Sequence, residues 1–479
     1  MGKTLWRDRL EPDQSHGSAL GEGMGTPFPQ RQVSPTNWQR WLSQPPAQHS
    51  ESIVSEICKI PAVDSLVVLR AIEQLIPCSL NHFYWENHQD QRAILNLGAL
   101  TELVLQGADR FRQAQLFIDH WQGRIRSNLK ISIPYFSCGF TFFDSQPPEA
   151  PFPAGLVTIP RLQLVRHHQD CFLVLNGDRQ QQPQLQQLAQ QLKEFLATLP
   201  QRLAPSRSIR GTVCTASTGF TEAVQRALRL IHEGKLSKIV LAHVLDVTAP
   251  QPFDVVHALD NLRDRHPDCC IFSLRNPQGD TFIGASPERL LAVQQGQLIT
   301  DALAGSAPRG NSCSTDQQLA QSLFHSEKEQ REHQAVADFL LGQLQRLGLD
   351  PQAAPRKLLK LSNIQHLWTP ISATLPPQIH PLEVVAQFHP TPAVAGVPRA
   401  IACAEICQAE GFDRSLYASP IGWLDNQGNS EFIVAIRSAL IRGNHARLYG
   451  GAGIVAGSQP EREYAEVQLK LTSLLAALT

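Results

Sequence analysis

Two periodicities alternate along the chain and predict a protein of mixed helices and strands. Apolar residues that recur every three or four positions are typical of amphipathic helices and predict helices over 64–75, 219–232 and 327–345. Short runs of aliphatic residues between turn residues indicate strands, as in 238–247 and 431–441. Since strands and helices do not alternate regularly, the pattern favours an α+β fold with antiparallel sheets over a parallel βαβ fold.

The distribution of polar, Gly and Pro residues divides the chain into three regions. Residues 1–50 are rich in Gly, Pro, Gln and Ser and show little periodicity, which predicts a disordered tail. Residues 51–205 mix helix-like runs, such as 100–122, with short strand-like runs and predict an N-terminal α+β region. A Gln-rich stretch followed by two prolines marks a boundary near residue 205. Motifs are concentrated in the last region, 206–479.

The charge balance argues for a small-molecule partner rather than a nucleic acid. The 479 residues include 42 Lys and Arg against 43 Asp and Glu, a net charge of -1. No basic block supplies the phosphate attraction on which nucleic-acid binding depends. The longest apolar runs fall far short of the roughly 20 residues that span a bilayer, and the N-terminus lacks the apolar segment of a signal peptide. We therefore expect a cytoplasmic monomer, with a homodimer as the alternative.

Carboxylates stand on two of the predicted helices. Glu332 lies on the apolar face of helix 327–345, where a carboxylate is costly unless it is paired or bound to a cation. The C-terminal helix places Glu463, Glu466 and Lys470 at i, i+3 and i+7, along one side. On these residues alone, an ordinary salt bridge explains Glu332 as well as a cation site does. The spacing on the last helix is also that of an ordinary solvated face.

A lysine and a glutamate stand where acid–base chemistry could be placed. Lys238 begins a nearly all-apolar strand, and an inward orientation would favour the neutral amine, which can act as a general base. Gly and Pro define a turn that presents Glu288, and a carboxyl in a partly apolar pocket would keep its proton and could donate it. The alternatives are an edge lysine that reaches water along its stem and a surface pair of Glu288 with Arg289.

Three further segments offer groups that suit an anionic ligand. Gly305 and Ser306 follow Ala304 in a segment whose backbone amides are predicted to be free for a carboxylate. Arg437 interrupts an otherwise apolar strand face, where a buried guanidinium would clamp a carboxylate through two hydrogen bonds. The glycine-rich segment 450–457 predicts a turn into the last helix, where amides and the helix dipole favour an anion. A tight connection without a ligand is the alternative for that segment.

Taken in order, the motifs of this chain resemble the chorismate-utilising enzymes, and most closely the isochorismate synthases. The motifs are Lys238-Ile239-Val240-Leu241-Ala242, Gly284-Ala285-Ser286-Pro287-Glu288-Arg289-Leu290, Ala302-Leu303-Ala304-Gly305-Ser306, Glu332-His333, His389-Pro390-Thr391-Pro392-Ala393-Val394-Ala395-Gly396, and Gly451-Ala452-Gly453-Ile454-Val455 ahead of Glu463 and Glu466. The resemblance is dense over 206–479 and looser over 52–205, and it does not cover the tail. It implies a fold of large antiparallel sheets in layers with helices packed outside.

The resemblance also implies roles for individual residues. Lys238 matches the lysine that activates water for attack at C2 of chorismate, and Glu288 matches the glutamic acid that protonates the departing C4 hydroxyl. Glu332 and Glu466 match the carboxylates that hold Mg2+, with Glu463 as a neighbouring ligand. The residues that match substrate-binding groups are Gly305, Ser306, His366, Arg437, Gly453 and Lys470. Together they imply an Mg2+-dependent conversion of chorismate to isochorismate, for which menaquinone or phylloquinone biosynthesis is the expected destination.

Differences within the superfamily and departures from its pattern sharpen this prediction. Lys238 argues for water as the nucleophile, because the matching position of anthranilate synthase is not a lysine. Ala304 argues against aminodeoxychorismate synthase, which has a nucleophilic lysine there. Ser286 and Ser306 replace the commoner threonine and keep its hydroxyl. His243 replaces the arginine that usually ends its strand motif, so the usual packing partner of that arginine is in doubt.

The sequence leaves two other functions open. A salicylate synthase needs the same lysine, glutamate and metal, and would continue by eliminating pyruvate from isochorismate. A non-catalytic paralogue could bind chorismate for regulation, although the complete set of Lys238, Glu288, Glu332 and Glu466 weighs against it. Because no carrier or lyase region is recognisable, quinone biosynthesis is preferred over siderophore or salicylate formation as the destination of isochorismate.

Overall fold

The computed structural model describes residues 36–46, 51–76, 80–133, 135–205, 211–361 and 364–479. Residues 37–479 belong to one compact unit. The predicted tail, 1–50, lies outside the described residues except for 36–46. There Asn37–Leu42 forms a helix in which Trp38 and Trp41 are buried. The packed part of the chain therefore begins before residue 51.

Capping residues define where several helices begin. Asp64, Asp254, Ser312 and Ser326 each accept a hydrogen bond from a backbone amide in the first turn of a helix, which satisfies a donor that the helix leaves unpaired. The described helices are α1 Asn37–Leu42, α2 Ser65–Leu75, α3 Arg110–Gln122, α4 Gln182–Ala197, α5 Phe220–His232, α6 Val255–Arg265, α7 Cys313–His325, α8 Glu327–Arg346, α9 Pro381–Phe388, α10 Arg399–Ala409 and α11 Pro460–Leu478. The predictions over 64–75, 219–232 and 327–345 are confirmed as α2, α5 and α8.

The strands are mostly buried, and many are buried on both faces. The described strands are β1 Ile53–Ile60, β2 His82–Asn87, β3 Arg92–Leu105, β4 Ile125–Ser127, β5 Phe136–Phe140, β6 Gly155–His167, β7 Asp170–Asp178, β8 Val213–Ala216, β9 Lys238–Thr248, β10 Cys270–Arg275, β11 Thr281–Ser286, β12 Arg289–Gln294, β13 Gln297–Pro308, β14 Gln352–Ala353, β15 Lys357–Lys360, β16 Ile364–Thr374, β17 Gly396–Val397, β18 Pro420–Leu424, β19 Ser430–Val434, β20 Ser438–Arg442 and β21 His445–Val455.

The strands pair into one continuous network with two arms. The first arm runs in the order β4, β1, β7, β6, β3, β2, β10, β11, β20, β21 and β9. The second arm leaves β6 through β5 and continues through β18, β19, β12, β13 and β16. Short strands flank β9 and β16. Apart from the parallel pair of β1 and β4 these pairings are antiparallel, so the predicted α+β class with large antiparallel sheets is confirmed.

Both arms contain strands from either side of the composition boundary near residue 205. In the first arm β2 pairs with β10, and in the second β5 pairs with β18. Buried apolar side chains from both regions form one hydrophobic cluster, which extends from Trp38 to Leu478. Full burial of one aliphatic or aromatic side chain contributes about 1.5–3 kcal/mol, so the cluster holds the two arms and their helices together.

Two of the connections through which the chain changes arms lie next to each other, and these position the candidate site. One joins β11 to β12 through Pro287 and Glu288, and the other joins β19 to β20 through 435–437. Val434 N donates to Glu288 O at 3.0 Å, and Ala285 N donates to the carbonyl oxygen of Arg437, in the second connection, at 3.1 Å. The two connections are therefore held together by backbone hydrogen bonds.

Three sequence predictions differ from the fold. The prediction of a single strand over 431–441 is wrong, because the segment forms the end of β19 in one arm and most of β20 in the other. Arg437, at the break between them, has a φ of 50°. The helix over 100–122 begins only at Arg110, because the apolar residues before it continue β3, which pairs with β6 as far as Leu105. The turn over 450–457 is also wrong, because most of that segment lies in β21 and pairs with β9.

Two further features bear on the expected class of protein. No helix in the described ranges is long and apolar enough to cross a membrane. The nine cysteines in those ranges are free thiols, and four of them are buried. The predicted C-terminal helix is present as α11. Gly219, with a φ of 88°, is the N-cap residue of α5.

Candidate active site

A cleft lies beside both connections, and most of the predicted site residues line it. Strands β9, β13, β16 and β21 and helices α8 and α11 contribute its walls. The predicted residues that line the cleft are Glu288, Gly305, Ser306, Glu332, His366, Arg437, Gly453, Glu463, Glu466 and Lys470. Lys238 is not part of the lining, because it is buried directly behind Glu332 and Gly453.

Glu288 is the predicted acid, and the connection between β11 and β12 places it in the cleft with 7% exposure. Its amide donates to Ser286 Oγ at 3.2 Å, and that hydroxyl donates to the carbonyl of Val434 at 2.6 Å. The serine hydroxyl thus ties this connection to β19. Burial raises the pKa of Glu288 to about 8, while the charge of Lys238 acts in the opposite direction. The carboxyl therefore retains a proton near neutral pH, as a general acid requires.

The alternative surface pair of Glu288 with Arg289 is wrong. Arg289 Nη1 lies 3.7 Å from Asp301 Oδ2 instead. Trp368 Nε1 donates to Asp301 Oδ1 at 2.8 Å, which fixes that carboxylate. In the ranges that the structure describes, Glu288 forms no ion pair within 4.0 Å, and burial has the largest effect on its pKa.

Lys238, the predicted base, is the first residue of β9 and is only 1% exposed. The edge-lysine alternative is wrong, because β9 pairs there with Val455 on one side and Val397 on the other. Its Nζ lies 2.9 Å from Glu332 Oε1. A Cβ on Gly453 would overlap Glu332 Oε1 and lie 3.3 Å from Lys238 Cε, so this close pair requires glycine at that position.

The other two carboxylates that were predicted to hold a metal ion are also paired with lysines. Glu463 Oε1 accepts a hydrogen bond from Lys328 Nζ at 3.1 Å. Glu466 Oε1 accepts one from Lys470 Nζ at 2.7 Å. Helices α8 and α11 thus bring carboxylates and lysines to one wall of the cleft. The ordinary salt bridge considered for Glu332 is present, and it belongs to this larger charged cluster.

The chemistry of this cluster fits a hard divalent cation, although the carboxylates are not gathered into a ready-made metal group. Among the described residues, no three His, Cys, Asp or Glu side chains form a group that could hold a metal ion. Burial and then the charge of Glu332 raise the pKa of Glu329, with Glu466 adding to the effect, so these carboxylates are close enough to repel one another. All the donors are oxygens, as Mg2+ prefers. Binding would require the carboxylates to turn from their lysines.

The segment around Gly305 is shaped by a bulge in β13. Gly305 has a φ of 78°, and the register with β16 shifts there. The prediction of free amides is wrong for Ser306, whose amide donates to Glu329 Oε2 at 3.0 Å. Ser306 Oγ lies 3.0 Å from His366 Nδ1. Burial, followed by the charge of Arg437, lowers the pKa of His366 to about 3, so the imidazole is neutral. Its Nε2 is buried and has no hydrogen-bond partner in the part of the chain that the structure describes.

Arg437 and Lys470 supply the positive charge next to the Gly305 segment. The Arg437 Nη1 lies 3.8 Å from Cys269 Sγ, and burial lowers the pKa of this arginine. No carboxylate in the described part of the chain forms an ion pair with it within 4.0 Å. Lys470 Nζ also donates to the carbonyl of Gly451 at 2.8 Å. A half-buried arginine that has no carboxylate partner among the described residues suits the binding of a ligand carboxylate.

Sequence reasoning missed four residues that line the cleft. Lys328 and Glu329 lie one helical turn before Glu332 on α8, so their spacing carried a signal that could have found them. Tyr417 and Tyr449 come from distant segments, and their rings stack with centroids 5.2 Å apart and planes at 12°. Only the packing of the folded chain brings these two rings together.

A buried ion pair supports the strand that carries Lys238. Between β17 and β8, no described strand pairs with the outer edge of β9. There Ala242 N donates to Glu410 Oε1 at 2.7 Å, and Arg414 Nη2 donates to the carbonyl of Val240 at 2.8 Å. Glu410 and Arg414 are themselves joined at 2.6 Å. The pair therefore satisfies backbone groups that a strand would otherwise bond.

His243, the departure from the usual arginine, has its own packing. Its Nδ1 lies 2.8 Å from Ser217 Oγ, and its ring stands edge-on to Phe220 and Tyr464 at 5.6 and 5.4 Å between centroids. Burial lowers the pKa of His243, so the ring is neutral. Aromatic packing takes the place of a fixed positive charge at this position.

Comparison with known proteins assigns the family. The model of the family described as chorismate binding enzyme matches residues 40–479. A Pseudomonas aeruginosa protein named salicylate biosynthesis isochorismate synthase is 32% identical over 472 residues, which cover 92% of this chain and 93% of that protein. The Bacillus subtilis isochorismate synthase MenF is 30% identical over 445 residues, with 85% and 92% covered.

A solved structure shows the same fold. It is that of MenF, the menaquinone-specific isochorismate synthase from Escherichia coli, with a TM-score of 0.74 and 30% sequence identity. The match covers 92% of this chain and 98% of that one. The likeness therefore extends over most of the chain.

Proposed function

This chain belongs to the family of chorismate binding enzymes, and on that premise we propose that it is an isochorismate synthase, which converts chorismate to isochorismate. One observation carries the proposal. A buried lysine, Lys238, and a buried glutamic acid that keeps its proton, Glu288, stand beside one cleft. Arg437 and Lys470 add the positive charge that a substrate with two carboxylates needs.

The proposed reaction exchanges a hydroxyl between two ring carbons. Lys238 takes a proton from a water molecule as the water oxygen bonds to C2 of chorismate. The ring double bond shifts, the bond between C4 and its oxygen breaks, and Glu288 gives its proton to the departing group, which leaves as water. Lys238 then returns a proton to solvent, and Glu288 regains one. One water enters and one leaves, so the reaction is an isomerisation.

The remaining residues would bind and orient the substrate. Glu332, Glu466 and Glu463 would hold Mg2+, which when bound neutralises the ring carboxylate and fixes its position. The other residues proposed to contact the substrate are Gly305, Ser306, His366, Arg437, Gly453 and Lys470. The neutral imidazole of His366 offers a hydrogen bond without adding charge, and its buried Nε2 has no hydrogen-bond partner among the described residues.

We further propose menaquinone or phylloquinone biosynthesis as the destination of isochorismate. The Bacillus subtilis relative and the Escherichia coli structure both bear the name MenF, which supports this choice. The Pseudomonas aeruginosa relative is named for salicylate biosynthesis, so the pathway needs a direct test. Expression in a bacterium that lacks its own isochorismate synthases should restore its menaquinone, and failure of an active enzyme to do so would contradict the pathway.

The activity itself is tested by product analysis. Purified protein is incubated with chorismate, with and without Mg2+ and with ammonium as a competing nucleophile, and the products are separated by chromatography. We expect isochorismate that depends on Mg2+. Salicylate with pyruvate would indicate a salicylate synthase, anthranilate would contradict the role of Lys238, and unchanged chorismate would favour a regulatory paralogue.

Two variants test the assigned acid and base. Lys238→Ala and Glu288→Gln should each abolish turnover while the far-ultraviolet circular dichroism spectrum stays unchanged. Lys235→Ala is a matched control, because Lys235 lies three residues earlier, is exposed and forms its ion pair in the described ranges with the exposed Glu233. Near-normal activity in either active-site variant would contradict the mechanism.

A further inference from the structure

Lys328 is a cleft residue to which the proposed reaction gives no role. It lies in the first turn of α8 and lines the cleft. Its Nζ donates to Glu463 Oε1 at 3.1 Å and lies 3.6 Å from Glu329 Oε1. Because Glu463 belongs to α11, this ammonium joins the two helices that carry the proposed metal ligands.

The setting of Lys328 makes it a stable positive charge. Its side chain is 33% exposed, while that of Glu463 is 5% exposed. The carboxylates of Glu463 and Glu329 both lie within 4.0 Å of its ammonium nitrogen. An ion pair with one buried partner is screened by solvent less than a surface pair. The ammonium therefore stays charged and close to its carboxylates.

Lys328 differs from the other two lysines of the cluster in what holds it. Lys470 also donates to a backbone carbonyl, and Lys238 is enclosed between β17 and β21. In the described part of the chain, the hydrogen bond and ion pairs of Lys328 are all with carboxylates. A cation bound to those carboxylates would therefore weaken the interactions that hold the Lys328 ammonium in place.

We propose that Lys328 is a positioning residue that acts as a resident cation of the metal site. It bridges Glu329 and Glu463, offsets their repulsion before a metal ion enters, and competes with the divalent cation for Glu463. This inference rests on the proposed function, because it assumes that Glu463 neighbours the Mg2+ site. It follows that the substrate-free protein binds divalent cations more weakly than its carboxylates alone would allow.

The test measures binding of Mn2+ alone to the full-length, substrate-free protein. Isothermal titration calorimetry gives the dissociation constant, and the electron paramagnetic resonance signal of free Mn2+ gives an independent value. Lys328→Met should lower the dissociation constant about tenfold, because it removes a positive charge within a few ångströms of the cation. Lys328→Arg keeps the charge and should change it less than about twofold.

A matched control and a second readout separate this role from a purely structural one. Lys59→Met removes a lysine from the exposed pair with Asp170 and should not change the dissociation constant for Mn2+. Metal-free Lys328→Met should melt at a lower temperature than the wild-type protein and gain more from added Mn2+, since only the variant leaves the carboxylates unneutralised. Lys328→Gln provides the same tests if the methionine variant does not fold.

The outcomes distinguish this inference from the function on which it rests. An equal or higher dissociation constant for Mn2+ in Lys328→Met, with normal isochorismate formation by the wild-type protein, would overturn the competition alone. Lack of Mn2+ binding by both proteins would overturn the metal assignment and this inference with it. Tighter binding with Lys328→Met and unchanged binding with Lys328→Arg would support it.

Discussion

Replacing Glu288 with glutamine should change how the stability of the protein depends on pH. The pKa of this buried carboxyl is raised from 4.5 to about 8 in the folded protein. Between these two values the folded protein holds a proton that the unfolded chain has lost. The free energy of unfolding of the wild-type protein therefore falls as the pH rises through this window. Glutamine does not ionise, so Glu288→Gln removes this part of the pH dependence.

The size of the effect follows from the displacement of the pKa. Each pH unit above 4.5 lowers the free energy of unfolding by roughly 1.4 kcal/mol until the pKa of the folded protein is reached. The accumulated loss is about 3 kcal/mol near pH 7 and about 5 kcal/mol above pH 8. Relative to the wild-type protein, Glu288→Gln should gain about 3–4 kcal/mol of stability as the pH is raised from 5 to 8, whatever constant difference the amide introduces.

The assay is guanidinium denaturation of both proteins at several pH values between 5 and 8. The quantity of interest is the difference in their free energies of unfolding as a function of pH. Glu149→Gln, at an exposed position, is the control and should run parallel to the wild-type protein. If the curves of Glu288→Gln and the wild-type protein are also parallel, the buried carboxyl does not hold its proton and the acid assignment loses its physical basis.

Three further predictions concern catalysis. Gly453→Ala should lower kcat/KM about 100-fold, because a Cβ there overlaps Glu332 Oε1 and displaces the pair behind the cleft. Ser306→Ala should lower kcat/KM about fivefold, because it removes the hydrogen bond to His366 Nδ1 and leaves that ring less well oriented. Removal of divalent cations with EDTA should abolish isochorismate formation, and added Mg2+ should restore it. Each is measured as the initial rate of isochorismate formation.

Controls accompany these three predictions. Gly342→Ala places a Cβ on α8 with nothing within 4 Å and should be fully active. Equal activity of Gly453→Ala and Gly342→Ala would refute the argument from close approach. For Ser306→Ala, unchanged kinetics would show that the ring of His366 needs no help from the hydroxyl. Full activity after exhaustive EDTA treatment would contradict the metal requirement.

Sequence periodicity correctly predicted helices that bury one face. It failed where the secondary structure of a segment depends on the strand with which that segment pairs. Helices α5 and α8 were found because their apolar spacing and first residues are local properties. The apolar residues from Leu100 onward fit a helix equally well, yet they extend β3, because β6 offers them backbone partners. A strand was likewise predicted straight through Arg437, since nothing local shows that the chain changes arms there.

In the candidate site, too, some features could be predicted from the sequence and others depend on tertiary contacts. The order of motifs was enough to name Glu288 and Glu332 as residues of one site. It did not show that Lys238 lies behind the lining and faces Glu332 at 2.9 Å, because that pair depends on β9, β21 and α8 meeting. Nor did it find Lys328, although its helical spacing from Glu332 was visible.

The chain's own residues thus determine the fold class, most of the polar residues that line the cleft and the family resemblance, because these depend on local periodicity and on the order of motifs. Tertiary packing decides which charges meet, which of them are buried and where the chain crosses between the arms. The protonation of Glu288 and the position of Lys328 between two helices are results of that packing. Desolvation and ion pairing depend on atoms brought together from distant parts of the chain, and no local pattern records those distances.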